Sequence, residues 1–290
     1  MEFMSQGKFW QHNVAVDVGT ATTRVAIGAH RLLEHPSGLA AKRALNAGVV
    51  VDAETTVSLL RPLLAQARRF GVVKPCVLAC APSDVSGDER RLLVESITAA
   101  GASSIVVIPE PLAAMVGGGV EVSSPYAQMI IDIGEGVTDC AITQSSRIRE
   151  TCAVRLGCAS MRQAIRSAFR KQNQIISDEE AETHLRSCGI SLSGTLSETG
   201  RRVVSAVETV AVRITETIDS FLRALPHALG CEVIESGIWL TGGGALLPGL
   251  RAGIESRTGI SVRCVGNPRT AVVEGARAIL PVVSALNQWR

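Results

Sequence analysis

Two aspartates stand where this sequence could do chemistry. In VAVDVGTATTRVAI, Val14 to Ile27, and again in MIIDIGEGVTDCAI, Met129 to Ile142, an apolar strand runs into D-x-G-x-x-x-T and out into a second strand, with Asp17 and Asp132 at the mouths of the two bends. Such a bend points several backbone N–H groups into one small space, where they can hold an anion while a carboxylate beside them holds the anion's metal. One copy reads equally well as an ordinary buried hairpin whose Gly19 serves the turn. Two copies suggest related halves facing one another across a cleft, able to clamp a polyphosphate from both sides.

Two further stretches fit that chemistry. PEPLAAMVGGG, Pro109 to Gly119, sets Glu110 between two prolines at the start of a small-residue helix just before the second bend. From there a carboxylate could orient or deprotonate a water aimed at a terminal phosphate, although an acid at a helix N-terminus also simply complements the macrodipole. GIWLTGGGALLPGL, Gly237 to Leu250, sends a buried strand into Gly242, Gly243 and Gly244, so backbone can approach a flat ligand or phosphate with no Cβ in the way. Neither G-x-G-x-x-G nor G-x-x-x-x-G-K-[ST] occurs.

The elements that must position these residues alternate between strands and helices. Asp52 to Arg69 has helical spacing, Cys76 to Cys80 reads as a buried strand, and Ser86 to Ala100 as an amphipathic helix opened by a Ser86/Glu89 capping box. Ile105 to Ile108 is a strand. A basic helix is predicted over Ser160 to Gln172, another from the Ser177 cap to Arg186, and a long one over Arg202 to Leu225 with Pro226 as its stop. Ala271 to Leu280 is a short helix holding Gly275, which suggests close packing or a hinge. The pattern is α/β with part of each sheet parallel. The passage from Ile27 to Gly48 shows mainly turn residues, and Ile190 to Gly200 a Ser/Thr/Gly-rich loop.

Composition narrows the function. A chain of 290 residues, 46% hydrophobic and 19% charged, can build two modest domains, and a net charge of +2 gives no basic face for nucleic acid. Eight cysteines show neither C-x-x-C nor zinc spacing, and Cys76, Cys80, Cys140, Cys152 and Cys264 lie in apolar runs, as small buried thiols in a reducing, cytoplasmic setting would. No 18-residue apolar run is long enough to span a bilayer. Met1 to Asn13, with Phe3, Met4, Phe9 and Trp10, reads as a frayed terminus or as a short amphipathic segment that touches a membrane; its brevity favours the former.

The order of segments, from the Asp17 hairpin through the Glu110 helix, the Asp132 hairpin and the triple glycine to the Gly275 helix, resembles the five-part nucleotide cleft of the actin-like ATPases. Within that superfamily ERRLLVESITAAGASSIVVIPEPLAAMVGGG, Glu89 to Gly119, and ESGIWLTGGGALLPGL, Glu235 to Leu250, are similar to the MreB-like bacterial actins. The resemblance implies two actin/RNase H-like domains with mixed sheets flanking a central nucleotide cleft. The first takes residues 1–121 with 271–290, the second 122–270, and both outer subdomains are reduced.

It also implies roles. Asp17 and Asp132 would hold Mg²⁺ largely through waters. Gly19, Thr20, Ala21, Thr22 and Thr23 would take the β-phosphate of ATP, and the loop from Gly134 through Glu135 and Gly136 to Thr138 the γ-phosphate. Glu110 would position the attacking water with help from Thr138. Gly242 to Gly244 would pack on the adenosine, with Glu182 at the ribose. Two positions depart from the family: Glu135 replaces a glycine, and Leu185, beside Arg186, stands where a lysine usually reaches the adenine. The implied activity is Mg-dependent ATP hydrolysis linked to self-association or to association with a full-length MreB-like protein, with peripheral membrane contact. A non-polymerising actin-fold ATPase is the alternative, and a small-molecule kinase is disfavoured because no second acid is placed as a base for a substrate hydroxyl.

Overall fold

In the computed structural model, residues 13–39, 42–190 and 197–286 are described. The membrane-touching reading of Met1 to Asn13 therefore falls almost wholly outside them, as does most of the Ile190 to Gly200 loop. The chain divides into two compact units, Met1–Gly117 with Val272–Arg290, and Gly118–Ala271.

In the first unit, β1 (Asn13–Val18), β2 (Thr22–Ile27) and β3 (Arg31–Pro36) form an antiparallel meander. Two short ribbons follow, β4 with β5 (Gly38–Leu39, Lys42–Arg43) and β6 with β7 (Leu45–Asn46, Val49–Val50). Helix α1 (Ala53–Ala65) is capped by Asp52, whose side chain accepts from Thr55 N–H, and leads to β8 (Cys76–Ala81). Helix α2 (Gly87–Ala100) opens on the Ser86/Glu89 capping box and returns the chain to β9 (Ser104–Pro109) and α3 (Glu110–Gly117). The sheet order is β3-β2-β1-β8-β9, with β1, β8 and β9 parallel.

Period-two alternation splits this sheet between two cores. Val14, Val16, Val18, Val77 and Ala79 pack with α1 and α2, while Ala15, Leu78 and Cys80 pack with Ala113 of α3 and with Val273 and Ala276 of the C-terminal helix, Ala271–Ala285. Burial on both faces is why these strands read as unbroken apolar runs. A Cβ at Gly275 would overlap the Ala113 carbonyl, so close packing accounts for a glycine that otherwise costs about 1 kcal/mol in a helix.

The second unit repeats the plan. Strands β10 (Gln128–Ile133), β11 (Thr138–Gln144) and β12 (Arg147–Val154) form the meander, and β13 (Ile238–Thr241) and β14 (Val262–Cys264) add in parallel, in the order β12-β11-β10-β13-β14. Between the strands run α4 (Cys158–Arg170), α5 (Asp178–Cys188), α6 (Glu198–Ala224), α7 (His227–Ser236) and α8 (Leu250–Thr258). Met129, Ile131 and Ile133 alternate into one core with Ile165 of α4, Val207 and Ile214 of α6 and Ile254 of α8.

The fold is thus α/β with two mixed sheets of one plan. Several elements differ from the sequence reading. The passage after Ile27 is a third strand and two ribbons rather than turns alone, and β12 and α7 had no counterpart in the expectation. Helix α1 stops at Ala65, short of Arg69, because Arg69 to Val73 folds into a tight turn with Phe70 and Gly71 both at positive φ. Cys264 is exposed, contrary to the buried reading, because β14 is an edge strand; Cys231 is exposed as well. Among the described residues no helix is long and apolar enough to cross a membrane.

Candidate functional site

In the first unit the candidate residues collect at the carboxyl ends of the parallel strands. Asp17 on β1 pairs in register with Cys80 on β8, and Cys80 with Ile108 on β9; two residues later comes Glu110, the half-buried first residue of α3. Ligands of open α/β sheets bind at this end, where loops diverge from the strands. The bend after Asp17 is held by groups from the next strand and ribbon. Ser37 Oγ donates to Gly19 O at 2.5 Å and lies 2.9 Å from Thr23 Oγ1, while Ser37 N–H donates to Ala21 O. Gly48 N–H donates to Thr20 Oγ1 at 2.8 Å. A side chain at Gly19 would bring Cβ to 2.8 Å from Thr22 O, so the bend requires glycine.

Asp17 is buried opposite Arg24 on β2, whose Nη1 lies 3.6 Å from Asp17 Oδ2. Burial pushes its carboxyl up to about 6, against the pull of Arg24, and Glu34 adds to the rise. Its negative charge is therefore under-compensated, as suits a carboxylate that receives a cation.

The second unit gathers its residues at the equivalent end. Asp132 pairs with Thr241 on β13, and Gly242 follows. Gly242 has φ +81°, and a Cβ there would overlap Asp132 Oδ1 and the Ile133 backbone; one at Gly244 would overlap the Ile133 side chain. Gly242 and Gly244 thus let this turn lie directly on the end of β10. Opposite Asp132 stands a second buried acid, Asp139, where the first hairpin has Arg24. Gly134 N–H donates to Val137 O across the bend that holds Glu135 and Gly136, and buried Thr138 donates from Oγ1 to Leu156 O at 2.9 Å, leaving its oxygen free to accept. The carbonyls of Gly134 and Glu135 accept from the Cys158 and Ala159 N–H groups, so the bend itself satisfies the start of α4. A Cβ at Gly157 would strike both carbonyls.

Glu135 and Glu182 meet on one guanidinium. Arg162 of α4, 12% exposed, grips both oxygens of Glu135 and reaches Glu182 Oε2 at 3.0 Å and Asp178 Oδ2 at 3.2 Å. Burial works against its charge, but these carboxylates outweigh it and raise its pKa. Arg186 binds Glu182 Oε1 at 2.7 Å and donates from Nη1 to Gly243 O at 2.7 Å. Leu185 is fully buried in the core and offers no polar group.

Sequence reasoning passed over Ser37, Asp139, Gly157 and Arg162. Only Gly157 left a trace, as a glycine ahead of a helix that lacks a Ser, Thr or Asp cap; the other three act through partners on other elements. Burial raises the Cys140 thiol well above the ordinary range and that of Cys158 to about 12, which keeps both protonated.

Magnesium fits this donor set. It keeps several waters and takes one or two carboxylates plus substrate phosphates, rather than a protein-built cage. Asp17 supplies one such under-compensated carboxylate, buried at the end of β1.

The sequence model of the MreB/Mbl protein family matches residues 13–192 and 186–288. The cell shape-determining protein MreB of Haemophilus influenzae is 28% identical over 295 residues, covering 92% of this chain and 84% of that protein. Among solved structures, MreB5 of Spiroplasma citri bound to ADP is similar at a TM-score of 0.86 and 20% identity, covering 96% of this chain and 98% of the other. The MamK double helical filament is similar at 0.79 and 18%, covering 93% and 98%. With the family's pattern running through nearly all of the described residues, and its fold in both units, the chain belongs to the MreB/Mbl family of actin-fold cytoskeletal proteins.

Proposed function

We propose that this chain binds Mg·ATP through its two bends and hydrolyses it slowly, in step with assembly into filaments of its own or with a full-length MreB-like protein, in the service of cell shape or wall synthesis. One observation carries the reading: each unit sets a buried aspartate at the carboxyl end of its central strand, beside a bend that glycine keeps open. The ADP bound to MreB5 and the filament formed by MamK support nucleotide and self-association respectively.

In this reading the first bend takes the β-phosphate and the second the γ-phosphate. Asp17 and Asp132 would hold the hydrated metal, which when bound would neutralise phosphate charge. Glu110 orients the attacking water and accepts its proton, and Thr138 Oγ1 accepts a hydrogen bond from the same water. Gly242 to Gly244 and Glu182 face the nucleoside.

Membrane contact belongs to the same proposal, made peripherally from the cytoplasmic side. Besides the N-terminal segment, the turn at Phe70 and Val72 supports it. These residues are 73% and 75% exposed, Phe70 is held at φ +54° with Arg69 over its ring, and exposed Lys74 follows them. Apolar tips among cations suit an anionic bilayer surface.

The test is sedimentation and electron microscopy of the purified chain with Mg·ATP, Mg·ADP and no nucleotide, alongside direct nucleotide titration. ATP-dependent filaments support the proposal. Tight nucleotide binding with no assembly at any concentration, alone or with a full-length relative, leaves the non-polymerising ATPase, and no binding removes both.

A further inference from the structure

Glu135 poses an electrostatic difficulty for the nucleotide reading. It puts a carboxylate into the very bend whose amides would hold the γ-phosphate, where a like charge at close range opposes binding. The fold answers with Arg162. Its fork takes both Glu135 oxygens and holds them on the α4 side of the bend. The remaining donors then reach Glu182 and Asp178 on α5. From Glu182 the path continues through Arg186 to Gly243 O. A single run of charge-assisted bonds therefore ties the turn after β10 to the turn after β13.

We propose that Arg162 is a positioning residue of the nucleotide site, resting on the reading above: it neutralises Glu135 so that the second bend can accept a γ-phosphate, and through Glu182 and Arg186 it couples that bend to the triple glycine. Only a planar, bidentate cation serves three carboxylates this way, so lysine can replace it only in part.

The experiment is a double-mutant cycle on Mg·ATP and Mg·ADP affinity with Arg162→Ala, Glu135→Gly, the double variant and Arg162→Lys. Arg162→Ala should weaken Mg·ATP by about tenfold or more, and Mg·ADP less, because the unpaired carboxylate faces the γ-phosphate. On the Glu135→Gly background the same change should cost less than about threefold, since no acid is left inside the bend to oppose the phosphate. Arg162→Lys should fall between wild type and Arg162→Ala. Equal losses on both backgrounds, equal losses for ATP and ADP, or full function in Arg162→Ala would each overturn the proposal. If Arg162→Ala fails to fold, Arg162→Lys on both backgrounds decides the same question. Wild-type protein that binds no nucleotide fails the reading underneath, and does so in its own arm.

Discussion

Asp17 and Arg24 sit directly opposite each other on β1 and β2 with 3.6 Å between Oδ2 and Nη1, yet the pair does not fully offset the aspartate's burial. The folded carboxyl titrates near 6 instead of its ordinary 3.8, so between those values the folded protein keeps a proton that the unfolded chain has lost. Stability must then fall as pH rises from about 4 to about 6 and level off above, by an amount on the order of 2–3 kcal/mol from this group. Chemical denaturation of metal-free protein across that range should show the slope, and Asp17→Asn should remove it.

Glu110→Ala should leave nucleotide affinity nearly unchanged and slow hydrolysis by about 10²-fold or more. Phosphate release under saturating Mg·ATP is the measurement. Unaltered turnover would take Glu110 out of the mechanism and leave it as the first acid of α3.

The triple glycine separates into positions that do and do not tolerate a methyl group. Gly242→Ala drives Cβ into Asp132 Oδ1 and the Ile133 backbone at a φ that alanine resists, and should cost about 2 kcal/mol or more in a denaturant titration. Gly243→Ala meets only Arg186 Nη2 at 3.7 Å and should fold as well as wild type. Equal effects at both positions would contradict the packing of this turn against β10.

Phe70→Ser with Val72→Ser should abolish co-sedimentation with anionic vesicles if the turn carries the membrane contact, with the thermal midpoint unchanged or slightly raised because both side chains are already in water. Retained binding would move the contact to the N-terminal segment.

What could be read from the sequence was what is encoded locally. The two hairpins announced themselves by D-x-G-x-x-x-T, α2 by the Ser86/Glu89 capping box and α5 by its Ser177 cap; both caps form, and Glu180 completes a box at the second. Helix α4 carries no such signal, because its first amides bond to the carbonyls of Gly134 and Glu135 rather than to a side chain. Strands β3 and β12 are outermost in their sheets, and RLLEHP and RIRETCAV mix charge with apolar residues and show no clean alternation. Arg162 looked like one more cation on a basic helix. Its role depends on Glu135, 27 positions away, and that distance no periodicity can bridge.

Gly275 against the Ala113 carbonyl, with Asn13 Nδ2 donating to Ser284 Oγ at 2.6 Å, joins segments on either side of the whole second unit. During translation the first unit therefore waits with one face of its sheet covered only in part, by α3, while the contiguous residues 118–271 emerge and can fold. Released chains that stop just short of the C-terminal helix should therefore carry a folded second unit and an incomplete first one.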